Sequence, residues 1–237
     1  MTTTVSRFEP ISCKLWKQDP KAFAERLGQS FRETGFAVLS DHPIDQSMID
    51  TGVGAGKKFF ALPDETKRSY FIPGGGGQRA YTPFATEVAK GAKAKDLKEF
   101  WHVARELPRD HKYADLMGAN LYVKEVPGWK EATNAMFSAL DQFGLDILEA
   151  IAMHLKLPPD FFNDKVQEGN SILRLLHYPP QIEPPPEGAG EGAGEGAPWA
   201  TALPQRSMMA IMAVSEAEYL RCKLSLTSEA ALALTPR

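Results

Sequence analysis

The sequence predicts a mixed α+β fold, and three observations carry the prediction. Helical and strand patterns alternate over residues 19–104. A long amphipathic helix then feeds a strand-like stretch, "SILRLLHYPP", residues 171–180. After that strand the chain changes character, passing through prolines 184–186 and a Glu-Gly-Ala-Gly repeat into an Ala- and Met-rich tail. Mixed order of this kind argues for α+β, with a sheet whose remaining strands should come later.

Each element has a local reason. Asp19 followed by Pro20 is a helix start, a capping carboxylate before a proline at the first helical position. Phe23, Leu27 and Phe31 recur at helical spacing, and Gly35 supplies the stop. "FAVLSDH", residues 36–42, follows as a short strand, and a second helix is expected over residues 45–61, halted by Pro63. "PGGGGQRAYTP", residues 73–83, reads as loop from its composition, and "KEFWHVA", residues 98–104, as a strand. The long helix over residues 128–157 keeps Trp129, Met136, Leu140, Phe143, Ile147 and Ile151 on one face, and Pro158 and Pro159 end it. A short helix around "PDFFNDKV" precedes the strand at 171. Beyond it, "EGAGEGAGEGA", residues 187–197, reads as a flexible linker. Residues 207–224 and 228–234 read as helices, because neither stretch alternates as a sheet strand would.

Bulk composition excludes several classes. At 237 residues and 43% hydrophobic the chain can bury a sizeable core. A net charge of -3 offers nucleic acid no basic footprint. Two cysteines, Cys13 and Cys222, are too few for a disulfide framework and too isolated for a zinc site, so a cytoplasmic setting is expected. The N-terminus lacks a signal-peptide apolar core. The longest apolar run, "MMAIMAV", residues 208–214, is far short of the roughly 20 residues a membrane helix needs.

Glycine-rich stretches and histidines give no catalytic centre on their own. "TGVGAGKK", residues 51–58, fails the phosphate-loop pattern at both ends and the dinucleotide pattern at Lys57, so it reads as a closely packed helix. "GGGG", residues 74–77, reads as a loop. Of five histidines, only His102 with nearby Glu99 suggests a metal or acid/base pair, and a strand places those two on opposite faces. His154 falls near the end of the long helix, where a cation suits the dipole.

Four segments, taken in order, resemble the isopenicillin N synthase-like family of non-haem iron(II), 2-oxoglutarate-dependent oxygenases. They are "FRETGFAVLSDHPID" (31–45), "FFALPDETKRSYF" (59–71), "YTPFATEVAKGAKAKDLKEFWHV" (81–103) and "NSILRLLHYPPQ" (170–181). One departure is Ala80, where that family usually has Gly before the aromatic. The resemblance, covering residues 20–181, implies a double-stranded β-helix, or jelly-roll, preceded by an N-terminal helix and strand module. It implies iron(II) held by two histidines and a carboxylate, a 2-oxoglutarate cosubstrate and a small-molecule substrate. The family's ligands lie in a His-x-Asp pair after the Tyr-Pro-Pro strand and in a later His, and an Arg-x-Ser pair grips oxoglutarate.

None of these carries over, because the chain after Tyr178 contains no His and no Asp, and no Arg-x-Ser. Only Tyr178 transfers, as an oxoglutarate contact; it reads equally as an aromatic ending a strand. The expected division is an N-terminal module over 1–120, the long helix and first barrel strand over 121–181, a linker over 182–198 and a divergent tail over 199–237. On this reading most of the barrel is missing, through a change of reading frame or a real truncation. The strand at 171–178 then loses sheet neighbours, leaving a marginally stable chain unless the tail or a second copy covers it. Three functions follow: an oxygenase by descent that lacks its iron, a binding protein that pairs with an intact relative through the open sheet edge, or a metal site rebuilt from Glu99, His102 and His111.

Overall fold

A computed structural model describes residues 9–75, 77–88, 95–166 and 168–179, together with the main-chain path of 208–215. The linker expected over 182–198 and the helix expected over 228–234 lie outside these residues.

The chain opens with β1 (Ile11–Ser12) and α1 (Lys14–Gln18), then α2 (Pro20–Thr34). Asp19 caps α2 by accepting from the Ala22 amide at 3.0 Å, and Gly35 ends it, as the sequence indicates. Of the strand expected over 36–42, only β2 (Leu39–Ser40) forms, paired parallel with β1. Next come α3 (Gln46–Phe60), capped by Asp45, and α4 (Asp64–Arg68). Pro63 does stop α3, but it also serves as the N-cap of α4, a helix that the proline signal concealed.

β3 (Ala80–Thr82) begins inside the stretch read as loop, and β4 (Glu99–Ala104) matches its prediction. After α5 (Ala114–Met117), α6 runs over Trp129–His154, followed by α7 (Asn163–Val166) and β5 (Ser171–Tyr178). The last element corrects the sequence reading. Met208–Ser215, expected to be helical, is a strand, β6, which completes an antiparallel sheet in the order β3-β4-β5-β6. A seven-residue apolar run fits a buried strand or a helix segment equally, and periodicity alone does not separate them. What decides here is pairing: β6 matches β5 along its whole length, from Ser171 opposite Ser215 to Tyr178 opposite Met208. The β5 edge expected to be open is therefore occupied by the chain's own tail.

α6 spans the molecule beside this sheet and holds both halves of the core. Near its start, Met136 packs onto Gly52 of α3; a Cβ there would lie 2.6 Å from the Met136 Cε. The glycine-rich stretch is thus the closely packed helix that the sequence predicted. At its far end, α6 places His154 on Gly28 of α2, where a Cβ would lie 2.2 Å from the ring. Phe23, Ala24, Leu27, Ile11 and Ala150 form a smaller core beneath this second contact.

The main core lies between α3, α6 and one face of the sheet. Phe59 sits at its centre, with ring centroids 4.9 Å from Trp101, 5.3 Å from Tyr81 and 5.5 Å from Trp129. Val103, Leu173 and Leu175 complete the sheet's contribution. No helix among the described residues is long and apolar enough to cross a membrane.

Candidate functional site

Directly opposed residues of an antiparallel pair share a face, so the strand register sorts the polar side chains of the sheet. Glu99 pairs with His177, and Trp101 with Leu175 and Tyr81; these face the helices. His102 pairs with Arg174 and Ala80, and Phe100 with Leu176 and Thr82; these face away. Glu99 and His102 therefore lie on opposite faces, as a strand requires.

On the helix-facing side, Glu99 is the hub of a buried network. Its Oε2 accepts from Lys67 Nζ at 2.7 Å and from the Tyr81 hydroxyl, and its Oε1 lies 2.7 Å from His177 Nδ1. Phe60 stacks on the His177 ring at 5.0 Å. Burial alone would raise the Glu99 carboxyl, but the hydrogen bonds from His177, Lys67 and Tyr81 outweigh it and hold the group below the usual carboxylate range. Burial and then the neighbouring carboxylate push the Tyr81 phenol up. One negative charge is matched by donors from α4, β3 and β5, so the network ties these elements to β4.

On the other side, His102 Nδ1 lies 2.5 Å from the Gly77 carbonyl, and Arg174 Nε donates to His102 Nε2 at 2.5 Å. These two contacts assign the proton to Nδ1 and leave Nε2 as the acceptor. Burial, then the positive charges of Arg174 and Arg79, push His102 down to about 3, so the ring stays neutral. The Arg174 guanidinium also lies over Phe100, 4.8 Å from the ring centroid. Tyr178, two strand positions beyond Leu176, ends β5 with its side chain on this same face.

The third candidate, His111, is elsewhere. Its Nε2 lies 3.3 Å from Glu168 Oε1, beside the 2.8 Å ion pair of Lys112 with the same carboxylate. Glu99, His102 and His111 are not brought together, and no group of three or more His, Cys, Asp or Glu able to hold a metal occurs among the described residues. The rebuilt metal site expected from them is not present there. His154 ends α6 with Nε2 at 2.9 Å from Arg32 Nη2 and Nδ1 at 3.2 Å from Glu25. Burial, then Asp41, push the Cys13 thiol up to about 11, leaving it in its unreactive form. Cys222 lies outside the described residues.

Sequence reasoning missed Lys67, Tyr81, Arg174 and His177. Each meets its partner across strands or from a separate helix, and register of that kind has no local signal.

Comparison with known proteins agrees with this architecture. The family model for the N-terminal region of non-haem dioxygenases in morphine synthesis matches residues 8–125. A proline hydroxylase, buaE, from Petromyces alliaceus is 30% identical over 166 residues, covering 67% of this chain and 50% of its own. The crystal structure of a 2OG-Fe(II) oxygenase family protein from Caulobacter crescentus is 49% identical with a TM-score of 0.69, covering 76% of this chain and 58% of that one. A full-length Neurospora crassa protein solved in complex with alpha-KG and thymine shares the fold at 24% identity and a TM-score of 0.60, covering 73% of this chain and 55% of that one. The chain spans about half the length of the curated relatives it matches. With the helical module, the order of its strands and the relatives in agreement, this chain belongs to the family of non-haem iron(II), 2-oxoglutarate-dependent oxygenases.

Proposed function

We propose that the chain is an iron/oxoglutarate oxygenase by descent that keeps the N-terminal module and the first strands of a jelly-roll but, as written, holds no iron and oxidises no substrate. One observation carries this reading: after Tyr178 the sequence contains neither His nor Asp. The family resemblance places the iron ligands in that region. The earlier candidates do not replace them, because Glu99, His102 and His111 are each committed to a different partner. The residues present do not fit a site of two histidines and one carboxylate. Tyr178, the one oxoglutarate contact that transfers, does not stand in for the missing Arg-x-Ser grip. A small-molecule substrate belongs to the intact family fold, and this chain supplies nothing that selects one.

Two measurements test the proposal. Anaerobic dialysis against iron(II) with 2-oxoglutarate should show no stoichiometric uptake, and labelled oxoglutarate should release no carbon dioxide. One iron per chain, lost in His102→Ala, would sink it in favour of a rebuilt site. Reading the coding DNA past codon 178 in all three frames addresses the origin of the tail. A His-x-Asp, a distant His and an Arg-x-Ser in another frame would make the tail a frame artefact.

A second reading is a non-catalytic protein that pairs with an intact relative by strand addition. It now rests on the outer edge of β6, because β5 is paired on both sides. β6 carries seven apolar residues and a serine with no charge or proline to discourage pairing. Concentration-dependent association, reduced by Ile211→Lys, supports this reading; a monomer at all concentrations removes it.

A further inference from the structure

The four-stranded sheet has two edges, and they are built differently. β3 forms one edge with only three residues, and a bridge between Phe71 and Tyr81 lies beside it. β6 forms the other edge over eight residues, with no strand on its outer side among the described residues. Sheet edges are normally guarded by short strands, charged residues or prolines. β3 has the first of these guards, whereas Met208–Ser215 has none. Alternate residues of an antiparallel strand turn their amide and carbonyl away from the neighbour they pair with. β6, paired with β5 along its whole length, therefore presents a regular row of donors and acceptors to a further strand.

We infer that two copies of this chain join through β6, antiparallel about a two-fold axis, into one continuous sheet with four strands from each copy. The inference rests on the strand-addition reading and names its partner. The sequence of the edge supplies the argument. Opposed residues of an antiparallel pair share a face, so a two-fold pairing of β6 with itself sets each residue opposite one an even number of places away. Two such registers use seven of the eight residues. One, centred on Met212, sets the polar Ser215 opposite Met209. The other, centred on Ile211, leaves Ser215 outside and opposes apolar to apolar throughout. In that register Ile211 meets its own copy, and both alanines, Ala210 and Ala213, fall opposite methionines, Met212 and Met209. Small residues thus meet long, adaptable ones, and bulk is not set against bulk beside the axis. Charge does not resist the approach, because the strand has no ionisable residue to repel its twin. A different chain would match this pattern only by coincidence, whereas a second copy always carries it. A single strand edge buries less than the standard interface of about 1,600 Å², so the dimer is weak and reversible.

The test begins with sedimentation of the full chain from low to high micromolar concentration. The apparent mass should rise from one chain to two and stop there. Register is then read by cysteine pairing under mild oxidation with diamide, in chains that carry Cys222→Ser. Directly opposed Cα atoms lie about 4.5–5.5 Å apart, within the span of a disulfide, whereas diagonal neighbours at about 7–8 Å lie outside it. Ile211→Cys should cross-link with itself. Ala210→Cys and Met212→Cys should each cross-link at least ten-fold less alone, yet as readily as Ile211→Cys when the two chains are mixed. If Ile211→Cys does not fold, that mixture carries the same readout, and the mass of the unaltered chain needs no variant. Growth beyond two chains would overturn the inference by showing that β6 meets a different edge, and would leave strand addition standing. Met212→Cys cross-linking with itself, or equal cross-linking at all three positions, would overturn it in the same way. A monomer at every concentration would overturn both the inference and the reading beneath it, and would leave the iron proposal untouched.

Discussion

On the helix-facing side of β4, Glu99 receives donors from Lys67, Tyr81 and His177, whereas on the opposite side Arg174 rests on a neutral histidine and an aromatic ring. The two groups lie on neighbouring strands, yet one charge is fully answered within the described residues and the other is not. The first arrangement belongs to folding, since it ties α4, β3, β4 and β5 through one carboxylate. The second leaves the Arg174 charge without a carboxylate partner among the described residues.

The largest test of that contrast is Glu99→Ala. It leaves Lys67, whose side chain is only 11% exposed, without its counter-charge. Breaking one partner out of a buried pair costs about 3–5 kcal/mol, and denaturant unfolding should show a loss of that size. A loss of under about 1 kcal/mol, typical of exposed pairs, would mean that the network is not structural. Arg174→Gln, on the opposite face, should change stability far less.

Acid should sharpen the comparison further. His102 is held down to about 3, while an unfolded chain protonates histidine near its ordinary value of 6.5. Below pH 6.5 the unfolded state takes up a proton that the folded state refuses, so stability falls as the pH drops toward 3. One such proton is worth about 1.4 kcal/mol per pH unit, or about 2 kcal/mol by pH 5. Glu99 works in the same direction at lower pH, because its carboxyl is also held down. In His102→Gln the slope between pH 5 and 6.5 should be smaller by one proton. An unchanged slope would show that His102 titrates freely.

How much of this was legible differs between the two ends of the chain. α2, α3 and α6 announce themselves through caps and three-to-four spacing, and their observed bounds depart from expectation by only a few residues. The separation of Glu99 from His102 was legible too, because strand alternation is local. β6 was not, since Met208–Ser215 carries no alternation, and its strand state depends on β5 offering an edge. Nor were the partners of Glu99 and Arg174 legible: His177 lies 78 residues from Glu99, and Arg174 lies 72 from His102. Pairing register decides those contacts, and register is a property of two strands together.

A smaller effect is expected where helices touch. Gly28→Ala would set a Cβ 2.2 Å from the His154 ring, which Glu25 and Arg32 hold from two sides. Overpacking of this kind costs about 1–3 kcal/mol, offset by up to about 1 kcal/mol from alanine's helix preference. A net loss of about 1–2 kcal/mol in denaturant unfolding is expected. A gain would mean that α2 and α6 separate freely, and that the small core between them contributes little.

The smallest expected effect concerns Ala80, which opens β3 opposite His102. Its φ of +61° lies in the left-handed region, and its side chain is fully buried. A Cβ in that region costs about 1–2 kcal/mol. Glycine removes the penalty but adds about 0.5–1 kcal/mol of backbone entropy to the unfolded chain. Ala80→Gly should therefore be neutral or stabilising by up to about 1 kcal/mol, a sign opposite to that of most buried substitutions. The strain sits on the face that carries His102 and Arg174. Destabilisation by more than about 1 kcal/mol would show that the Ala80 methyl is needed in the packing beside His102, and that the conformation carries no net strain.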